Sequence, residues 1–131
     1  MLQRRAFDKY HSGGLWTNTC CSHPDPNEGV LEACHRRLQE EMGFDTELEF
    51  VTSFIYRAEL DQNLIEHEFD HVYIGKYRDN PVINESEVSE WKFVNLADLE
   101  NDMKKHPDHY TVWFKIIFSK VKEHLLSQTQ R

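Results

Sequence analysis

Few chain paths satisfy the stretch Trp16 to Phe44, WTNTCCSHPDPNEGVLEACHRRLQEEMGF, because it demands a loop, a helix and a stop in succession. Pro24 and Pro26 forbid helix through the loop, and Asn27 stands where a side-chain cap for the next helix is expected. The spacing predicts a helix from about Glu28 to Met42, closed by Gly43 as a left-handed C-terminal cap. At helical periodicity Val30, Leu31, Cys34, Leu38 and Met42 make one apolar stripe that should face a core. Glu41 falls inside this stripe and Arg37 at its edge. A carboxylate aimed at a core needs a partner, either Arg37 in an i,i+4 ion pair that reaches water or a metal ion. Arg before Glu is the weaker order for such a pair. Ahead of the helix, Cys21 and His23 place a thiol and an imidazole on one loop, two groups that bind metals or move protons.

The remaining chain supplies what such a loop and helix would pack against. A length of 131 residues allows a single domain, 1–131, with one core. Strands are expected at Leu2 to Arg5, Leu15 to Thr19, Leu48 to Ala58, Leu64 to Tyr77 and Glu87 to Val94, with turns at Gly13-Gly14 and Asp61-Gln62-Asn63. Helices are expected from Leu96 to Lys105, ended by Pro107, and from Tyr110 to about Ser127. On the last, Tyr110, Trp113, Phe114, Ile117, Phe118, Val121 and Leu125 form a core stripe with Trp113 at its margin. Along Leu64 to Tyr77 the alternation puts Glu66, Glu68 and Asp70 on one face and His67, Phe69, His71 and Tyr73 on the other. Carboxylates at i and i+2 repel unless a cation or a shared proton lies between them. A solvated strand face and a metal or acid-base site both fit that pattern.

Charge narrows the ligands. A net charge of −8 disfavours nucleic acid and anionic membrane, so no nucleic-acid or membrane partner is expected. A phosphorylated ligand would need a metal ion or a few local cations. Arg4, Arg5 and Lys9 are either such cations or a solvated basic patch. Three cysteines, two of them adjacent, make no disulfide framework, and no apolar run or signal-like N-terminus is present, so a reducing cytoplasm is the expected location.

Arg36-Arg37-Leu38-Gln39-Glu40-Glu41-Met42-Gly43-Phe44, with Glu28 upstream, resembles a Nudix box, the loop-helix motif that holds a divalent cation against a diphosphate. Thr17 to Pro24, TNTCCSHP, is similar to the cysteine motif of the type I isopentenyl-diphosphate isomerases, members of the Nudix superfamily. The resemblance implies an α+β fold, an α/β/α sandwich with a mixed sheet flanked by helices. It implies interconversion of isopentenyl and dimethylallyl diphosphate, a small prenyl diphosphate being the partner, by a monomer or weak dimer. Cys21 would be the catalytic thiol, two residues before the histidine, leaving Cys20 and Cys34 as small core residues. Glu66-His67-Glu68 looks like the family's paired-acid element: both acids would ligate a metal with His23, and Glu68 would also move a proton beside Tyr56. That ion would be Mn²⁺, Zn²⁺ or Mg²⁺, and Glu41 would reach a second, Mg²⁺, bridging the diphosphate. Arg5 and Lys9 would hold the diphosphate, and Trp113 would cover the carbocation.

Two departures qualify this resemblance. Ser22 replaces the leading glycine of the box, and Arg37 replaces its first glutamate, a usual metal ligand in the hydrolases. The isomerases tolerate both kinds of change. A Nudix pyrophosphohydrolase is thus the second reading, and an inactive Nudix-fold binding module the third. The family's domain begins some tens of residues earlier, with two metal-binding histidines, a lysine and strands of the sheet. N-terminal strands are therefore expected to be missing, and Met1 to be an internal start or the edge of a truncated gene model.

Overall fold

The computed structural model describes residues 1–9, 11–60 and 63–129. In chain order the elements are β1 (Leu2–Arg5), β2 (Trp16–Thr17), α1 (Val30–Met42), β3 (Leu48–Glu59), β4 (Ile65–Gly75), β5 (Val88–Lys92), α2 (Leu96–Lys105), a 3₁₀ turn (Pro107–His109) and α3 (Val112–Thr129). β1 pairs antiparallel with β2 on one side and β5 on the other. A parallel bridge from Trp16 to Tyr110 adds the only mixed character among the described residues. β3 and β4 form a separate antiparallel pair.

Successive residues of β1 point to opposite faces, and each face finds its own helices. Leu2 packs with Leu99, Tyr110, Phe114 and Phe118 beneath α2 and α3. Gln3 turns the other way, donating to the Thr19 carbonyl at 2.8 Å and approaching Met42 of α1, where Leu38, Met42 and Val88 close a second core. The small sheet is thus layered between helices, the arrangement the resemblance implied. None of the described helices is long and apolar enough to cross a membrane.

Boundaries moved where packing outweighed local pattern. Helix α1 starts at Val30 with Gly29 as its N-cap, because Asn27 adopts a left-handed φ of 68° and cannot cap. Its buried residues are Ala33, Leu38, Glu41 and Met42, whereas Leu31 lies exposed, so the helix has rolled away from the face that apolar spacing suggested. Gly43 closes it as expected, with φ 73°, and a Cβ there would sit 2.5 Å from the Val82 carbonyl oxygen. Tyr110 stands outside α3, in extended conformation, its hydroxyl donating to Asp102. The strand expected over Leu15 to Thr19 shortens to two residues. Of the Asp61-Gln62-Asn63 turn, Asp61 and Gln62 lie outside the described residues, and Asn63 has a φ of 59°.

The β3–β4 pair reverses the usual sense of a half-buried sheet. Register pairs Tyr56 with Glu68, Ala58 with Glu66 and Phe54 with Asp70, so the acids share the inward face with Tyr56. Ile55, Ile65 and Phe69 look outward, 68%, 58% and 59% exposed. Against the body the hairpin rests on α3, where the Lys120 ammonium lies 5.2 Å from the Phe54 ring centre.

Candidate active site

The loop after β2 is shaped by Asn18, whose Oδ1 accepts from the Thr17 hydroxyl at 2.8 Å and whose amide donates to the Cys20 carbonyl at 2.7 Å. Thr17 is fully buried and its hydroxyl meets that of Thr111 at 2.9 Å, tying the loop to the start of α3. Cys21 is thereby delivered to Trp113. The indole Nε1–H donates to Cys21 Sγ at 3.2 Å, and the thiol faces Asn18 Oδ1 at 3.6 Å. The Arg5 guanidinium lies 5.3 Å from the centre of the indole, and His11 meets it edge-on. Burial, then the charge of Glu41, push the Cys21 thiol up to about 11, with Arg5 and the indole N–H pulling only part of the way back. At neutral pH Cys21 holds its proton.

Cys20 faces away from this pocket but is more than core filling. It packs against the Leu38–Met42–Val88 core, and its thiol donates to Glu41 Oε1 at 3.2 Å. Glu41 is 5% exposed, and burial raises its pKa against the opposing pull of Cys20 and Arg37. The i,i+4 pair with Arg37 exists but is loose at 3.5 Å, since Arg37 makes its shorter contact with Glu40 at 2.5 Å. Cys34 approaches the Ser22 hydroxyl at 3.5 Å. Arg36 clasps the loop to α1: its Nε donates to Glu28 at 2.9 Å and its Nη2 to the His23 carbonyl at 3.2 Å. Residues of the box thus hold the segment that carries Cys21 and His23.

His23 reaches toward the hairpin, its Nε2 4.0 Å from Glu68 Oε1. Burial comes first, then hydrogen bonding with and repulsion from Glu66 and Asp70, in raising Glu68 to about 9. Asp70 is raised as well, mainly by burial, and the Tyr56 phenol is pushed up by burial and by all three acids. Tyr56 Oη and Glu66 Oε2 are buried without a hydrogen-bond partner. Acids short of counter-charge, with one carboxylate oxygen buried and unpaired, have the donor chemistry of a hard-cation seat. Among the described residues, no three His, Cys, Asp or Glu side chains are gathered so as to hold an ion by themselves. His23 approaches Glu68 alone, at 4.0 Å, with Glu66 two residues away on the same strand face, while Glu41 lies with the thiol side of the site.

Of the cations read as diphosphate ligands, Lys9 is engaged, and Arg5 is engaged through Nη2 while its Nε is buried without a hydrogen-bond partner. Arg5 Nη2 donates to the His11 carbonyl at 3.3 Å, and the Lys9 ammonium is bonded to Glu87. Glu87 lies also 3.5 Å from Arg37 Nη2. Sequence reasoning passed over Glu87, which sits in a turn with no motif or periodicity to mark it. Asn18 was passed over too, although it lies within the cysteine motif and a loop-shaping amide there was a legible signal.

The chain matches the NUDIX domain family over residues 1–114. Over 121 residues, 92% of this chain and 64% of the relative, it is 53% identical to Isopentenyl-diphosphate Delta-isomerase 2 of Aromatoleum aromaticum. It is also 53% identical, over 100% of this chain and 74% of the relative, to Isopentenyl-diphosphate Delta-isomerase 2 of Photorhabdus laumondii. It therefore spans roughly two thirds to three quarters of the length of these relatives. The MutT protein from Methanosarcina mazei Go1 shares the fold, with a TM-score of 0.74 at 16% identity over 93% of this chain and 81% of that one. A Nudix-type α+β fold, a cysteine-histidine loop docked on a box helix, and this level of identity together place the chain in the isopentenyl-diphosphate isomerase family of NUDIX-domain proteins.

Proposed function

We propose that this chain interconverts isopentenyl and dimethylallyl diphosphate, with Cys21 on one side of the substrate and Glu68 on the other. The observation that carries this reading is the loop that turns Cys21 to the N–H edge of the Trp113 indole while sending His23 to within 4.0 Å of Glu68. Moving the double bond requires a proton added at one carbon and another removed two carbons away, through a tertiary cation. Burial holds the proton on Cys21, which would add it to one carbon, while Glu68, its proton favoured by burial and neighbouring acids in the metal-free chain, would take the proton from the other carbon in the ionised form that a bound divalent ion would favour. The reaction is reversible, and the group that donates in one direction accepts in the other. Trp113, 5% exposed, would face the cation with its ring, an interaction of about 2 kcal/mol when desolvated. Tyr56 stands opposite Glu68 in the ladder and is suited to hold that carboxyl in place.

His23, Glu66 and Glu68 would hold one divalent ion, Mn²⁺, Zn²⁺ or Mg²⁺, and Glu41 would contribute to a Mg²⁺ shared with the diphosphate; Arg5 and Lys9 would meet the phosphate oxygens. When bound, such ions supply charge neutralisation for the acids and the diphosphate. A reducing cytoplasm suits the three free thiols, and a monomer or weak dimer suffices, since one chain carries both proton-transfer groups.

Isomerisation in heavy water tests the assignment. Cys21→Ser should lower deuterium incorporation into product by about 10³-fold or more, and Cys20→Ser should retain most of it. The opposite ranking would overturn the choice of thiol.

A further inference from the structure

We propose that Asn18 is a positioning residue that aims the thiol proton of Cys21, acting as the end of a hydrogen-bonded chain anchored at the N-terminus of α3. This rests on Cys21 being the proton-carrying thiol, as proposed above. The Asn18 amide donates to the Cys20 carbonyl at 2.7 Å, which leaves Oδ1 as the end turned to Thr17 and Cys21. That oxygen accepts from the Thr17 hydroxyl at 2.8 Å and from the Cys21 thiol at 3.6 Å. Thr17 gives its one hydroxyl proton to Asn18, so the 2.9 Å contact between the Thr17 and Thr111 hydroxyls is donated by Thr111. Thr111 in turn accepts from the Phe114 N–H at 3.3 Å, as a helix cap does. Both threonines are fully buried, so the chain is sealed from solvent.

The first turn of α3 also carries Trp113, whose indole N–H donates to Cys21 Sγ at 3.2 Å. Two contacts that trace to one helix therefore fix the thiol: Trp113 meets a lone pair of the sulfur, and Asn18 takes its proton. A thiol is a weak donor, so the bond to Asn18 restrains rotation about Cβ–Sγ yet is released at little cost when a substrate carbon takes the proton. Without Oδ1 the proton has no fixed direction, and a misaimed donor slows the chemical step more than it weakens binding.

Infrared spectra of the full chain at neutral pH test this. The S–H stretching band that disappears in Cys21→Ser reports that thiol's hydrogen bond, since bonding lowers its frequency. Asn18→Ala should raise the band to the position of a free thiol and lower kcat for isomerisation about tenfold, with KM within about threefold of the wild type. Asn18→Asp keeps an acceptor oxygen and drops the amide donor, so it should hold the band low. The proposal is overturned by a band that Asn18→Ala leaves in place, by an unchanged kcat in that variant, or by a band that Asn18→Asp raises as far as Asn18→Ala does, which would leave Asn18 a part in loop shape alone. Should the Asn18 variants melt below the assay temperature, Thr17→Val, which removes the hydroxyl that pins Oδ1, should raise and broaden the band while Thr17→Ser leaves it, and a band unmoved by Thr17→Val overturns the proposal. Wild-type turnover is read separately: its absence sinks the proposed activity, while the band still judges whether Asn18 holds the thiol.

Discussion

In the body formed by β1, β2, β5 and the helices, the buried hydroxyls of Thr17 and Thr111 bond to each other, Gln3 bonds to Thr19, and the apolar side chains divide into two closed clusters. In the β3–β4 hairpin, Tyr56 and Glu66 keep buried polar atoms without partners, three acids crowd the inner face, and Ile55, Ile65 and Phe69 stand in solvent. The thiol belongs to the first region and the proposed general acid-base carboxylate to the second. A buried polar group left unpaired is normally too costly to persist without function. Arg5 Nε in the body is also buried without a partner, so the unmet donor lies in the body and the unmet carboxylate oxygen, which suits the cation proposed above, lies on the hairpin.

Cutting into each region should break this contrast most visibly. Phe114→Ala, in the core beneath α3, should cost about 3–5 kcal/mol in urea unfolding. Phe69→Ala on the exposed hairpin face should cost under about 1 kcal/mol. Equal losses would mean that the outer hairpin face is packed against something.

A smaller effect probes the thiol itself. With Cys21 raised to about 11, alkylation by iodoacetamide at pH 8 should run about 100-fold slower than for a free thiol and should climb only as the pH nears that value. Mass mapping of the modified peptide reads the site. Rapid alkylation of Cys21 at pH 8 would show an ionised thiol and remove the basis for a proton-carrying one.

The smallest effect concerns the acids. An ordinary glutamate titrates near 4.5, whereas folded Glu68 keeps its proton to about 9, so the folded state binds more protons across that window. Stability contributed by this group is complete below about pH 4.5 and is lost as the pH rises toward about 9. Without metal, the wild type should therefore lose melting temperature relative to Glu68→Gln between pH 5 and pH 8. Added Mn²⁺ should shrink the gap. A gap that ignores both pH and metal would place Glu68 in ordinary solvent.

Much of this site was legible before folding. The prolines and Gly43 bounded the loop and helix, and two-residue alternation put Glu66, Glu68 and Asp70 on one face, opposite Tyr56 once β3 and β4 paired. Asn27 misled because capping preference is weak beside the φ that the Asp25–Glu28 turn imposes. Leu31 misled because apolar spacing reports a possible face, while the sheet beneath α1 chose the one with Ala33 and Glu41.

What the sequence alone determined was local: where helices stop, which residues share a strand face, and which chemistry each short segment carries. These follow from backbone sterics and side-chain periodicity, which act over a few residues. Only the tertiary structure decided that Cys21 meets Trp113 while Cys20 meets Glu41, that the hairpin turns its acids inward, and that Glu87 gathers Lys9 and Arg37. Burial and charge pairing between distant segments depend on what lies opposite an element, and no local pattern carries that information.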